Sequence, residues 1–480
     1  MNSQMVLRGL GALLICEAIA LIPSVIVSGI YEDGAMMSFI YTIILLIIIG
    51  IPLARLKPKT NSIYARDGFA IVAAGWIVIS LFGAFPYYLS GAIPSFADSF
   101  FEAVSGFTTT GASILENIEV LPPSIIFWRS LTNWLGGMGV LVLTLAILPS
   151  VGAGTLQIMK AEVPGPNPGK IVPKISSSVR ILYKIYLALT IIEIILLLAS
   201  GMPFYDSLIH AFGTTGTGGV SSKNFNIAAY DNVTAEIIIT VFMILCGVNF
   251  TLYYQTIKGN IKALLKDEEF RFYIGIVAVS IILISINLYG NVYGSIGESV
   301  RHSSFQVASI ITTTGYTSTN FDTWPLFSKM ILFVLMFIGG SSGSTVGAIK
   351  SIRILLLLKA TRLEMKSIIH PKAVFSIRLG NKTIDEKTLS EVKNFFFAYI
   401  LIFTLTVIII SLDGFDLATT LSAAAASIGN IGVGFGQIGP LGNYSQFSGL
   451  SKAVLSICML MGRLEIYPIL VLTMPSLWEK

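Results

Sequence analysis

Long apolar stretches alternate with short polar ones along nearly the whole chain. About 20 apolar residues suffice for a helix to cross a bilayer, and the pattern predicts ten such spans, at 5–29, 36–55, 69–90, 124–149, 179–200, 233–257, 271–290, 326–358, 393–412 and 450–474. The first carries Glu17 within it and is long for a leader peptide, so it reads as a retained helix. Four shorter segments, at 98–113, 206–221, 302–317 and 419–434, are only moderately apolar and end in Gly, Thr and Ser. They are too short to span and read as re-entrant, going in and coming back out on one side.

These four segments repeat one another. They read SFFEAVSGFTTTGAS from Ser99, SLIHAFGTTGTGGVS from Ser207, SSFQVASIITTTGYT from Ser303 and TLSAAAASIGNIGVG from Thr420. Aligned without gaps, each opens on a hydroxyl residue and reaches a glycine at the same offset: Gly111, Gly219, Gly315 and Gly432. The copies recur roughly every 100 residues, a period that marks a repeat architecture. The predicted fold is therefore an all-α polytopic membrane protein: a two-helix extension (1–60) followed by four helix–short helix–helix repeats (61–155, 156–262, 263–372 and 373–480) around one pore.

Charge sets the orientation. Arg55, Lys57, Lys59 and Arg66 fill one loop, Lys160, Lys170, Lys174 and Arg180 another, and the segment 350–393 is the longest and most basic. The alternate loops carry acids such as Glu32, Asp33, Glu116, Glu119 and Asp231. By the positive-inside rule the basic loops and both termini are cytoplasmic, and the short segments lie on the outer side.

Composition agrees with the spans: 54% of the 480 residues are hydrophobic, 12% are charged, and mean hydropathy is +0.80. Soluble domains carry roughly a quarter charged residues. The net charge of +5 resides mainly in loops, with no basic face interleaved with aromatics, so nucleic acid is not a partner. Cys16, Cys246 and Cys458 are widely spaced in apolar stretches, which supports neither disulfides nor a zinc site.

A short helix followed by a Thr/Gly turn presents backbone carbonyls in a run, and a ring of four such runs can replace the hydration shell of an ion. Glycine permits the backbone angles that keep adjacent carbonyls on one side. Neutral oxygens suit a monovalent cation in transit, whereas a resident divalent ion takes carboxylates.

The turns TTTGAS, TGTGGVS, TTTGYT and GNIGVG, with NWLGGMGVLVLTLAILP (133–149) and GGSSGSTVGAIKSIR (339–353), resemble the Trk/Ktr/HKT superfamily of potassium transporters over nearly the whole chain. The two extra N-terminal spans resemble its bacterial Trk branch. The resemblance implies a selectivity filter that binds potassium at Thr109, Thr110 and Gly111, at Thr217, Gly218 and Gly219, at Thr313, Thr314 and Gly315, and at Asn430, Ile431 and Gly432. It implies a gating loop at Gly339, Gly340, Ser341, Ser342, Gly343, Ser344 and Thr345, and a pore-facing barrier at Arg463. It also implies a homodimer in the bacterial inner membrane, a cytoplasmic nucleotide-binding regulatory subunit docking near 350–393, potassium as the permeant ion, no covalently bound cofactor and no enzymatic activity. Membrane lipids surround the chain.

Several residues admit two readings. The seven Gly, Ser and Thr residues at 339–345 predict a helix broken inside the membrane, since each glycine costs about 1 kcal/mol relative to alanine there. A phosphate-binding loop is the rival, but Ala348 and Ile349 separate Gly347 from Lys350. Arg463 either faces the pore or pairs with Glu465. Lys350 and Arg353 mark the cytoplasmic end of their span, and His302 and His370 read as ordinary loop residues. Glu17 and Glu193 are expected to pair with adjacent helices, and Glu102, His210 and Gln306, at one offset in three copies, to support the filter by hydrogen bonds. A sodium-permeable or cation-coupled transporter of the same architecture is the alternative function. An organic-solute carrier or membrane enzyme is remote, because four repeats in parallel order are not two inverted ones and no histidine or carboxylate cluster stands on one face of a span.

Overall fold

A computed structural model describes residues 2–57, 65–139, 175–373, 375–380 and 382–475. The fold is helical throughout, apart from a two-residue hairpin pairing Arg378–Leu379 with Lys382–Thr383. Six described helices are long and apolar enough to cross a membrane, or seven if Val233–Cys246 and Phe250–Ile257 count as one bent span. The chain is a multi-pass membrane protein whose outer surface is apolar: Ile19, Ile22, Ile26 and Ile30 of the first helix are largely exposed. Its interior combines large apolar side chains such as Phe101, Phe107, Trp128 and Phe305 with many small and hydroxyl residues, which let backbone approach backbone.

The Ser3–Tyr31 and Met36–Ala54 helices form an antiparallel pair. A Cβ at Gly11 would lie 2.4 Å from Ala54 N, so glycine sets this approach. Asp33, in the turn, accepts from Ala35 N (3.1 Å) and from Ser124 N (2.8 Å), which pins the pair to the start of the Pro123–Gly137 helix. Hydrogen bonds from Ser28 and Ser124 hold the Asp33 carboxyl below its ordinary range, overriding the opposite effect of partial burial.

Four short helices occupy the centre: Phe96–Phe107, Phe204–Gly216, Ile296–Ile311 and Leu417–Ile428. Side-chain oxygens of Ser95, Ser295 and Asp416 cap three of their N-termini. The hydroxyl residues that open the repeated segments, Ser99, Ser207, Ser303 and Thr420, are all buried.

The helices that follow the short ones differ from the predicted spans. Pro123–Gly137, Val233–Cys246, Leu326–Ile338 and Gly449–Arg463 have 15, 14, 13 and 15 residues, and each then leaves the helix. Only the third break was legible in composition. The 233–257 span bends by 94° at Gly247–Asn249. A Cβ at Gly247 would meet Tyr273 Oη at 2.2 Å, so glycine admits the tyrosine at the bend. The last span breaks at Glu465 and Ile466, both at positive φ (55° and 69°). Residues 140–149 of the predicted 124–149 span, most of the 133–149 string, Lys59 and the loop lysines at 160, 170 and 174 lie outside the described residues.

Candidate ion-conduction site

The four short helices end in one way. In each, a non-glycine residue two positions past the helix adopts a left-handed conformation: Thr109 (φ 55°), Thr313 (φ 51°) and Asn430 (φ 55°), with Thr217 (φ 56°) directly after its helix. The next amide reaches back five residues: Thr110 N to Ser105 O (2.9 Å), Gly218 N to Gly213 O (2.9 Å), Thr314 N to Ser309 O (2.9 Å) and Ile431 N to Ala426 O (2.8 Å). This is the hydrogen-bond pattern of a Schellman ending, built with Thr and Asn where glycine is usual. The glycine after it is again at positive φ: Gly111 (75°), Gly219 (62°), Gly315 (80°) and Gly432 (79°). Residues at positive φ thus alternate with residues at negative φ in all four turns.

The four turns close on each other. A Cβ at Gly111 would sit 2.2 Å from Gly218 O, at Gly219 2.0 Å from Thr314 O, at Gly315 2.1 Å from Ile431 O, and at Gly432 2.3 Å from Thr110 O. Each turn abuts the next in the order of the chain, and the fourth returns to the first. The result is a ring of four backbone segments whose contact distance only glycine allows. A cavity of about 350 Å³ lies over the ring, lined by Gly111, Gly219, Gly315 and Gly432 and by Glu116 and Lys223 among others.

The opposite side is crossed by the irregular segment between Ile338 and Ser351. Gly347 N donates to Thr313 Oγ1 (2.9 Å), Thr217 Oγ1 donates to Thr345 O (3.2 Å), and Ala348 N donates to Gly429 O (3.1 Å). The segment therefore touches the second, third and fourth turns. The Arg463 guanidinium donates to Thr345 O (2.8 Å), to Gly137 O (2.7 Å) and to Gly136 O, with Thr109 Oγ1 at 3.4 Å. A fixed cation thus bridges the loop and the first repeat beneath the ring.

The profile of the TrkH family, described as a cation transport protein, matches residues 35–480. The chain belongs to the TrkH family. The Trk system potassium uptake protein TrkH of Salmonella typhimurium is 36% identical over 488 residues, with all of both chains covered. TrkG of Escherichia coli K12, also a Trk system potassium uptake protein, is 32% identical over 98% of this chain and 97% of its own. The crystal structure of the potassium transporter TrkH from Vibrio parahaemolyticus superposes with a TM-score of 0.89 at 33% identity, covering both chains fully.

In this member of the TrkH family the supports of the ring are unequal. Glu102 accepts from Ile114 N (3.0 Å) and Ser113 Oγ (3.2 Å) and pairs with the buried Arg129. At the same offset His210 Nε2 meets Ser221 Oγ (3.0 Å). Gln306, by contrast, is buried with no hydrogen bond to its amide among the described residues, so the expected support is absent there. The third turn is held through Tyr316, whose hydroxyl lies 2.9 Å from Val220 O and 3.1 Å from His210 O, tying it to the second. Tyr444 Oη donates to Gly432 O (3.0 Å), and Asn430 Nδ2 donates to Thr110 Oγ1 (2.9 Å), tying the fourth turn to the first.

Several expectations need correction. Glu465 does not pair with Arg463; it pairs with Arg353 (2.5 Å), whose guanidinium stands 3.9 Å from the Phe395 ring. Lys350 and Arg353 are buried at the start of the Ser351–Ile369 helix, beyond the break in the predicted 326–358 span. His302 is no loop residue. It lies inside the Ile296–Ile311 helix, beside Glu236 (3.6 Å) and stacked on Tyr293. Glu17 and Glu193 are buried, and neither has a salt-bridge partner among the described residues. Arg129 and Tyr444 went unnoticed in the sequence. Only Arg129 left a signal, as a lone charge within an apolar run.

Proposed function

We propose that this chain carries potassium ions into the cell through the ring formed by Thr109–Gly111, Thr217–Gly219, Thr313–Gly315 and Asn430–Gly432, with the loop 339–345 as its gate and Arg463 as a barrier beneath. The observation that carries this reading is the cyclic closure, in which each of Gly111, Gly219, Gly315 and Gly432 stands against a carbonyl of the next turn. Such a ring offers neutral oxygens from four sides, which can replace water around a monovalent cation. The C-terminal ends of the four short helices lead into the turns, and the negative end of a helix dipole favours a cation. Potassium is cargo here, and no bound cofactor is needed for the step.

Related proteins named as Trk system potassium uptake proteins support the choice of ion. The reading extends to a homodimer in the bacterial inner membrane with cytoplasmic termini. It includes a nucleotide-binding regulatory subunit contacting the Ser351–Ile369 helix and the hairpin after it.

One observation favours a second reading, in which sodium or a coupling ion also passes. The fourth turn has Asn430 and Ile431 where the first and third have threonine pairs, so ligands at the inner end of the ring are unequal. Expression in a strain lacking potassium uptake tests the first reading: wild type restores growth at low potassium and Gly315→Ala does not. Reversal potentials in mixed salts that track sodium alone would sink it.

A further inference from the structure

The loop beneath the ring is also held from its far side. Glu269, the second residue of the Glu268–Leu288 helix, is buried and accepts from Ser342 N at 2.5 Å and from Ser351 Oγ at 3.2 Å. Ser342 lies early in the loop and Ser351 just beyond its end, so one carboxylate closes the loop on itself. Glu269 forms no salt bridge with a basic side chain among the described residues; its charge is met by loop donors. The residue before it, Glu268, pairs with Lys359, two turns along the Ser351–Ile369 helix.

The loop backbone is strained in this position. Ala348 (φ 59°) and Lys350 (φ 78°) sit in the left-handed region that disfavours side chains. Strained residues persist only where their surroundings hold them. The contacts from above come from the ring and from Arg463; from the side, Ser341 N donates to Gly247 O (2.8 Å) at the bend of the second repeat. Glu269 holds the loop at Ser342 and Ser351. A segment that is strained and clamped by a few side chains relaxes when a clamp is removed.

We propose that Glu269 is a positioning residue, a latch that holds the loop under the ring, and that the Glu268–Lys359 pair couples this latch to the Ser351–Ile369 helix. A partner that shifts that helix pulls on Lys359 and Glu268, displaces the adjacent Glu269 and frees Ser342 and Ser351. The proposal rests on reading the loop as the gate.

The test uses the full chain, purified and reconstituted in proteoliposomes and planar bilayers. Glu269→Ala raises open probability about tenfold, the effect of losing a charge-assisted hydrogen bond, and leaves the potassium-to-sodium reversal potential unchanged. Glu269→Gln, which keeps an acceptor oxygen, gives a smaller rise. Lys359→Glu also raises open probability, and E268K/K359E returns it toward wild type. A merely structural role would lower flux and melting temperature together, with no recovery in the swapped pair. Unchanged open probability in a stably folded Glu269→Ala protein overturns the latch. If that variant fails to fold, unchanged gating in the half-exposed Lys359→Glu does the same. Deleting Ser342–Ser344 separates the two ideas. If the deletion leaves flux unaltered, the gate reading falls and the latch with it. If the deletion opens the pore while Glu269→Ala does not, the latch alone falls.

Discussion

The outer ring and the layer beneath it are made on different rules. In the ring, four segments with different side chains, from Thr-Thr-Gly to Asn-Ile-Gly, adopt one backbone path with the same back-bonded amides and the same glycine contacts. Beneath it, four helices all stop after 13 to 15 residues, yet each stop is different: a pair of glycines, a 94° bend, a twelve-residue loop and a two-residue kink. On the proposed reading the backbone of the ring is the ligand, and its geometry is common to the four turns. Beneath the ring, where the proposed gate lies, individual side chains decide the geometry. Arg463, Glu269 and Arg353 have no counterparts repeated around the axis among the contacts described above.

The sharpest attempt to break this comparison is to substitute each ring glycine in turn. Alanine at 111, 219, 315 or 432 places a Cβ 2.0–2.3 Å from a neighbouring carbonyl oxygen. All four variants are expected to lose potassium flux by at least about a hundredfold, since even a small misplacement at a site can have that effect. A single position that accepts alanine with near-normal flux would show the ring to be unequal after all.

A smaller effect probes the supports. Arg129→Met leaves Glu102 buried without its cation and should destabilise the protein by about 3–5 kcal/mol. The double variant with Glu102→Gln should recover much of that, as read by thermal unfolding in detergent. The corresponding residue of the fourth repeat, Ala423, has no charge to lose. Smallest is Tyr316→Phe, which removes the hydroxyl between the second and third turns. Loss of one such bond is worth about 1 kcal/mol. Reversal potentials in mixed potassium and sodium should shift toward sodium, with the total flux little changed. An unaltered reversal potential would mean that Tyr316 holds the turns without tuning them.

Much of the ring was visible in the chain alone. The shared offset of Gly111, Gly219, Gly315 and Gly432 was legible because a left-handed angle and a close backbone approach both exclude side chains. The loop at 339–345 was legible because seven consecutive Gly, Ser and Thr residues cannot hold an apolar helix. The breaks at Gly247 and Glu465 were not, since the apolar pattern runs across both as single spans. Only the structure shows what meets them, Tyr273 at Gly247 and Arg353 at Glu465. Nor could spacing show Thr109, Thr217 and Thr313 in left-handed conformations that threonine disfavours and that asparagine, at Asn430, tolerates.

The sequence by itself determined that the chain crosses a membrane many times, that it contains four copies of one turn, and that one helix is interrupted. Each follows from local properties: hydropathy, the angles open to glycine, and helix propensity. Only the tertiary structure decided that the copies close head to tail into a ring, that Arg463 reaches under it while Arg353 takes Glu465, and that Glu269 meets the loop. Those outcomes depend on which groups come within hydrogen-bond reach across 70 to 350 residues of chain, a distance over which no local pattern carries information.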